Sequence, residues 1–199
     1  MKDNILIDIL PDTVEVDGRI FPINSDFRTG ILFELLIAEK ELTNKQKIIK
    51  TLELFYENVI PNNTQNALEK ILEFYRCGKN SDSQCKKSGE SKKKIRETVY
   101  SFDYDDAYIY AAFLDQYSID LNDIEYLHWW KFQALFKGLK SDNEIVKIMG
   151  YRATDLTKIK NNEERVRIAR LKSLYALPSN LSFEEKVAAA GAIFGGGFQ

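Results

Sequence analysis

Along TVEVDGRIFPI, residues 13–23, Val14 and Val16 alternate with polar neighbours, the period of a strand with one covered face. Asp17-Gly18 supplies the positive φ angles of a two-residue type I′ turn, so the stretch predicts a β-hairpin. Pro22 has no backbone donor, which suits an edge strand. Two strands are marginal alone, so the hairpin must rest on something else.

From residue 26 the apolar spacing becomes helical. Residues 26–39 place Phe27, Ile31, Leu35 and Ala38 on one stripe. Thr43 and Gln46 form a capping box opening a helix with Ile48, Ile49, Leu52, Phe55, Tyr56 and Val59, which must close before Pro61. Thr64 reads as the cap of a third helix, with Ala67, Leu68, Ile71, Leu72 and Tyr75, ending near Arg76. Further helices are expected at 103–117, 121–139, 143–150 and 154–176, the last stopped by Pro178. A capping box at Ser182 and Glu185 then opens a short alanine-rich helix that runs out into GAIFGGGFQ. The chain therefore reads as mainly α. An N-terminal hairpin and three-helix unit spans 1–76, a flexible basic linker 77–98, a C-terminal helical domain 99–178, and a short helix and tail 179–199.

The helix expected at 121–139 is the most distinctive. YLHWWKFQALFKGL, residues 126–139, holds both tryptophans and the only histidine. Trp129, Phe132 and Phe136 share one face, Tyr126 and Trp130 another, and the polar residues gather on none. A helix apolar nearly all round is a buried one. Trp129, Trp130, Phe132 and Phe136 are thus expected as core anchors of the second half.

Composition adds little, but charge placement adds more. The net charge of −2 makes no global field. Residues 76–96 nevertheless carry eight Lys/Arg against two acids, and residues 102–125 carry seven acids and no Lys or Arg. The basic stretch has one aliphatic residue and no periodicity, the composition of a solvated linker. Without interleaved aromatics it makes a poor nucleic-acid patch. No apolar run is long enough to span a bilayer, and ILIDIL near the N-terminus lacks a signal-peptide cleavage site, so the expected location is the cytoplasm. Cys77 and Cys85 match no CxxC spacing and read as free thiols.

Candidate chemistry is sparse. One histidine supplies neither a nucleophile–base set nor a metal pair, so the chain is expected not to be an enzyme. The acids of DYDD, 103–106, lack the glycine and closing glutamate of a calcium loop and suit a helix start. The glycines near the C-terminus precede no helix and carry no lysine, unlike a phosphate loop. Residues 141–160 have the helix, glycine turn, helix layout of a DNA-binding helix-turn-helix, and residues 142–172 carry eight basic residues against five acids. The early positions of the second helix, Thr154, Asp155 and Thr157, would however set Asp155 against phosphate. DNA binding is therefore the alternative reading.

The aromatic-rich text FDYDDAYIYAAF followed by YLHWWKF, then MGYRATDLTKIKNNEE and LKSLYALP, resembles the bacteriophage gene-product-fifteen family of siphophages and prophages of Gram-positive bacteria. VEVDGRIFPINSDFRT, residues 14–29, is similar to the start of that family. The resemblance implies a non-enzymatic tail assembly chaperone, encoded just before the tape measure protein, that keeps the tape measure soluble and helps to recruit tail tube subunits. It implies no catalytic residue, cofactor or metal. The implied partners are the tape measure protein, tail tube subunits, a second chaperone or further copies of the chain, with neither membrane nor nucleic acid among them. The candidate partner-binding residues are Phe183, Val187, Ile193 and Phe194 on the last short helix, and Lys92, Lys93 and Lys94 in the basic stretch.

Overall fold

The computed structural model describes residues 4–78 and 99–177. Among them the protein is mainly helical, with an N-terminal antiparallel hairpin followed by helices. Strands β1 (Thr13–Val16) and β2 (Arg19–Pro22) precede α1 (Phe27–Ala38), α2 (Asn44–Phe55), α3 (Thr64–Tyr75), α4 (Asp106–Tyr117), α5 (Trp129–Lys137), α6 (Glu144–Ala153) and α7 (Asn162–Leu174). Two compact units result, and they do not follow the chain in order. Described residues 4–78 and 126–134 form the first, and 99–125 and 135–177 the second. The nine-residue stretch around the tryptophans thus belongs with the hairpin and α1–α3, not with the C-terminal domain expected over 99–178.

In the first unit the hairpin pairs Thr13 with Pro22 through Val16 with Arg19. Its turn has φ of 50° at Asp17 and 75° at Gly18, as the sequence demanded. The Asp17 carboxylate also accepts from the Asn63 and Asn66 side-chain amides, tying the turn to the start of α3. The cap of α3 is Asn63, whose side chain accepts from the Asn66 N–H, and Thr64 is the first helical residue rather than the cap. The capping box of Thr43 and Gln46 is formed in full at α2.

Helix α1 buries a different face from the stripe expected. Phe27, Gly30, Phe33 and Ile37 face inward, while Ile31 and Leu35 are half-buried and Ala38 is exposed. The reason is Trp129, whose six-membered ring lies so close to Gly30 that a Cβ there would fall inside it. A glycine contributes nothing to a hydrophobic stripe, so the pattern pointed elsewhere.

Residues 121–128 are not helical, contrary to the single helix expected over 121–139. Their backbone is engaged elsewhere: the Leu127 N–H donates to the Asp26 carboxylate at 3.1 Å, the Phe27 N–H to the Leu127 carbonyl at 2.8 Å, and the Trp129 N–H to the Ser25 carbonyl at 2.8 Å. This makes a one-residue antiparallel bridge between Asp26 and His128, after which α5 begins.

Both indoles then finish α3. The Trp129 indole Nε1–H donates to the Tyr75 carbonyl at 2.9 Å and the Trp130 indole Nε1–H to the Phe74 carbonyl at 2.7 Å. These carbonyls belong to the last turn of α3, beyond the reach of the i→i−4 ladder, and that of Phe74 also accepts from the Cys77 N–H. Around them Phe27 stacks on Phe132, Trp129 on Tyr75 and on Phe132, and Phe33 meets Tyr75 and Phe55 edge-on, with ring centroids 4.8–5.7 Å apart. Trp129, Trp130 and Phe132 are buried, as core anchors of the first unit rather than the second. Phe136, also buried, packs in the second unit against Tyr100 and Phe102.

The second unit is organised on Arg152 of α6. Its guanidinium holds the Asp105 carboxylate with two bonds, of 2.6 and 2.9 Å, and donates to the carbonyls of Val99 and Tyr175. Both charged side chains are buried. Asp105 also accepts from the Ser101 N–H, so this acid of the DYDD run is an internal partner. The helix expected over 154–176 is broken in two. The Asp155 side chain accepts from the Thr157 N–H and opens a single 3-10 turn at Leu156–Lys158, and Asn161 caps α7 by accepting from the Glu164 N–H. Short polar side chains compete with the helix for their neighbours' backbone donors, and here they win.

Candidate interaction surfaces

His128 is the natural place to look for chemistry, and its environment argues for a structural role. Nδ1 accepts from the Trp130 N–H at 3.0 Å, which puts the ring proton on Nε2, where it donates to the Pro11 carbonyl at 3.1 Å. Burial holds its pKa below the ordinary 6.5, an effect that the Lys131 charge reinforces and that the Pro11 carbonyl and Asp12 oppose. The neutral ring thus pins the chain at Pro11. Among the described residues, no group of three or more His, Cys, Asp or Glu is placed to hold a metal ion. A groove of about 190 Å³ lies where β2 ends, floored by Ser25 and Tyr126, whose hydroxyls are 2.7 Å apart. It is smaller than the roughly 300–1,000 Å³ of small-molecule sites.

Exposed apolar surface is the more telling feature. The segment that His128 anchors begins as a closed turn: the Ile7 and Asp8 N–H groups donate to the Asn4 carbonyl, the Asn4 N–H to the Asp8 carboxylate and the Leu6 N–H to the Asn4 side chain. The turn holds Leu6 86%, Ile7 79% and Ile9 98% exposed. Three large aliphatic side chains exposed within four residues make this turn a candidate contact surface. The sequence reading missed them. Their signal was a run of aliphatics matching neither strand nor helix period. In the second unit, α4 and α7 likewise expose Leu114, Val166 and Leu174.

The partner-binding residues expected from sequence, Lys92, Lys93, Lys94, Phe183, Val187, Ile193 and Phe194, lie outside the described residues, as does the linker except for Cys77 and Gly78. Those two close α3, with φ of 57° and 64°. The helix-turn-helix alternative meets a different geometry from the one expected. The second helix starts at Asn162, and its first turn carries Glu163 and Glu164. Those acids occupy the positions a DNA reader gives to amide and basic side chains.

A family model described as Bacteriophage Gp15 protein matches residues 6–177. The chain belongs to this family. The Gp15 match begins at Leu6 and so includes the exposed Leu6, Ile7 and Ile9. No curated protein and no solved structure matches. Among the described residues, no helix of this Gp15 family member is long and apolar enough to cross a membrane.

Proposed function

We propose that this phage protein is a non-enzymatic tail assembly chaperone of the host cytoplasm, which binds the tape measure protein and keeps it soluble until tail tube subunits are recruited. Membership of the Gp15 family makes it a bacteriophage protein. The observation that carries the chaperone reading is the N-terminal turn, where Leu6, Ile7 and Ile9 stand out from a backbone fixed by its own hydrogen bonds and by His128. A pre-formed aliphatic knob suits repeated, modest contacts along a long helical partner better than a single deep pocket would. Acids at the start of α7 disfavour the DNA-binding alternative.

The test is co-expression with the tape measure protein encoded beside it. Wild-type chain should raise the soluble fraction of the tape measure and co-purify with it, and Leu6→Ser combined with Ile9→Ser should abolish both while leaving the fold intact. Equal solubility of the tape measure with and without the chain would overturn the proposal. Salt-dependent binding to duplex DNA would favour the alternative instead.

A further inference from the structure

Among the described residues, a single hydrogen bond joins residues 4–11 to the rest of the first unit: His128 Nε2–H to the Pro11 carbonyl. Inside the segment, Asn4 and Asp8 close the turn only on itself. Its side chains add little grip, since residues 4–9 are exposed and Leu10 and Pro11 half-buried. The next fixed point is Asp12, whose carbonyl accepts from the Ile23 N–H at the end of the hairpin. The pose of the aliphatic turn therefore depends on the orientation of one imidazole.

That imidazole is also the cap of α5. The His128 carbonyl accepts from the Phe132 N–H, and Nδ1 accepts from the Trp130 N–H at 3.0 Å. The ring thus works as an acceptor on one edge and a donor on the other. A second proton, taken from solvent, can enter only at Nδ1, where it meets the Trp130 N–H head-on. The cation would also stand at the N-terminus of α5, the positive end of the helix dipole. Because the ring is rigid, turning Nδ1 away from that N–H swings Nε2 off the Pro11 carbonyl. Burial weighs most against the cation, the bond to Pro11 favours it, Lys131 on α5 opposes it and Asp12 favours it. Asp26, across the bridge, has its carboxylate bonded to Arg28 and the Leu127 N–H. The Phe74 ring of α3 and the ring of Tyr126 meet the imidazole edge-on.

We propose that His128 is a latch on the N-terminal turn, worked by one proton. Neutral, it holds Leu6, Ile7 and Ile9 in one fixed pose. Protonated at Nδ1, it leaves the cap of α5, frees Pro11 and lets the turn swing from Asp12 while α2 and α3 stay folded. The latch sets how the turn is presented, whichever partner the turn meets, so it does not rest on the chaperone reading.

Nitrogen-15 NMR of the full chain, titrated from about pH 8 to about pH 5, reads the ring and the turn together. At the upper end the ring proton should be on Nε2, and the amides of residues 5–9 should show the heteronuclear NOE of ordered backbone. As the ring takes its second proton, below the ordinary 6.5, those amides should lose that NOE with the same midpoint, while those of α2 and α3 keep theirs. Lys131→Gln should shift both midpoints to higher pH and Asp12→Asn to lower pH. Both of those side chains are exposed, so the fold should be kept. In His128→Gln the order of residues 5–9 should no longer change across this range. A turn already loose at the upper pH, or one still ordered after the ring is protonated, would overturn the proposal. So would midpoints that ignore Lys131 and Asp12, a turn that still titrates in His128→Gln, or loosening of α2 and α3 in step with the turn.

Discussion

Substituting Gly30 by alanine sets two effects of opposite sign against each other. In a helix interior alanine is better than glycine by about 1 kcal/mol, so propensity alone predicts a more stable protein. The new Cβ, however, would fall on Cδ2, Cε3 and Cζ3 of Trp129, closer than any Cβ is tolerated. Trp129 has nowhere to go: it is 1% exposed, bonded to the Tyr75 carbonyl and stacked on Tyr75 and Phe132. Overpacking of this kind costs about 1–3 kcal/mol, and pulling the indole off its carbonyl about 1 more. The clash wins, for a net loss of about 1–3 kcal/mol once propensity is deducted. For a unit of this size that lowers the melting temperature by roughly 4–24 °C. Both tryptophans lie in the first unit, so their fluorescence during urea unfolding reports on that unit. Gly30→Ala should move the fluorescence midpoint to lower urea. Adding it to Trp129→Leu, with Trp130 as the remaining reporter, should cost much less than adding it to wild type, an interaction of at least about 1 kcal/mol. A midpoint that holds or rises in Gly30→Ala would refute the account of why α1 buries this face.

Arg152→Ala should cost about 3–5 kcal/mol by stranding the buried Asp105 carboxylate, seen as early loss of helical circular dichroism before tryptophan emission changes. His128 favours its neutral form when folded, because burial depresses its pKa below the unfolded 6.5. Its contribution is therefore complete above pH 6.5 and lost as pH falls through the folded pKa, and His128→Gln should flatten the decline in urea midpoint between pH 7 and 5 relative to wild type. Trp130→Phe should cost only about 1 kcal/mol by fluorescence, since the Phe74 carbonyl keeps the Cys77 N–H as a donor.

Much of the chain was legible wherever the decisive interactions were local. The hairpin follows from alternation plus Asp17-Gly18, α2 from its capping box and apolar spacing, and α3 from its apolar spacing, though its cap is Asn63 and not Thr64. The exposed N-terminal turn escaped, because which aliphatics stay uncovered depends on what the rest of the chain already covers.

By itself the sequence determined a mainly helical chain opening with a hairpin, and the burial of both tryptophans, since aromatic surface of that size must leave water. Only the tertiary structure decided where they are buried. Hydrophobicity has no direction, and helical spacing across residues 121–139 is compatible with any core. The Asp26 carboxylate, the carbonyls of Ser25, Phe74 and Tyr75, and the bare backbone at Gly30 draw residues 126–134 into the first unit. Those partners lie some fifty to a hundred positions away in the chain, and hydrogen bonds to backbone carbonyls and contact with a glycine leave no trace in side-chain pattern.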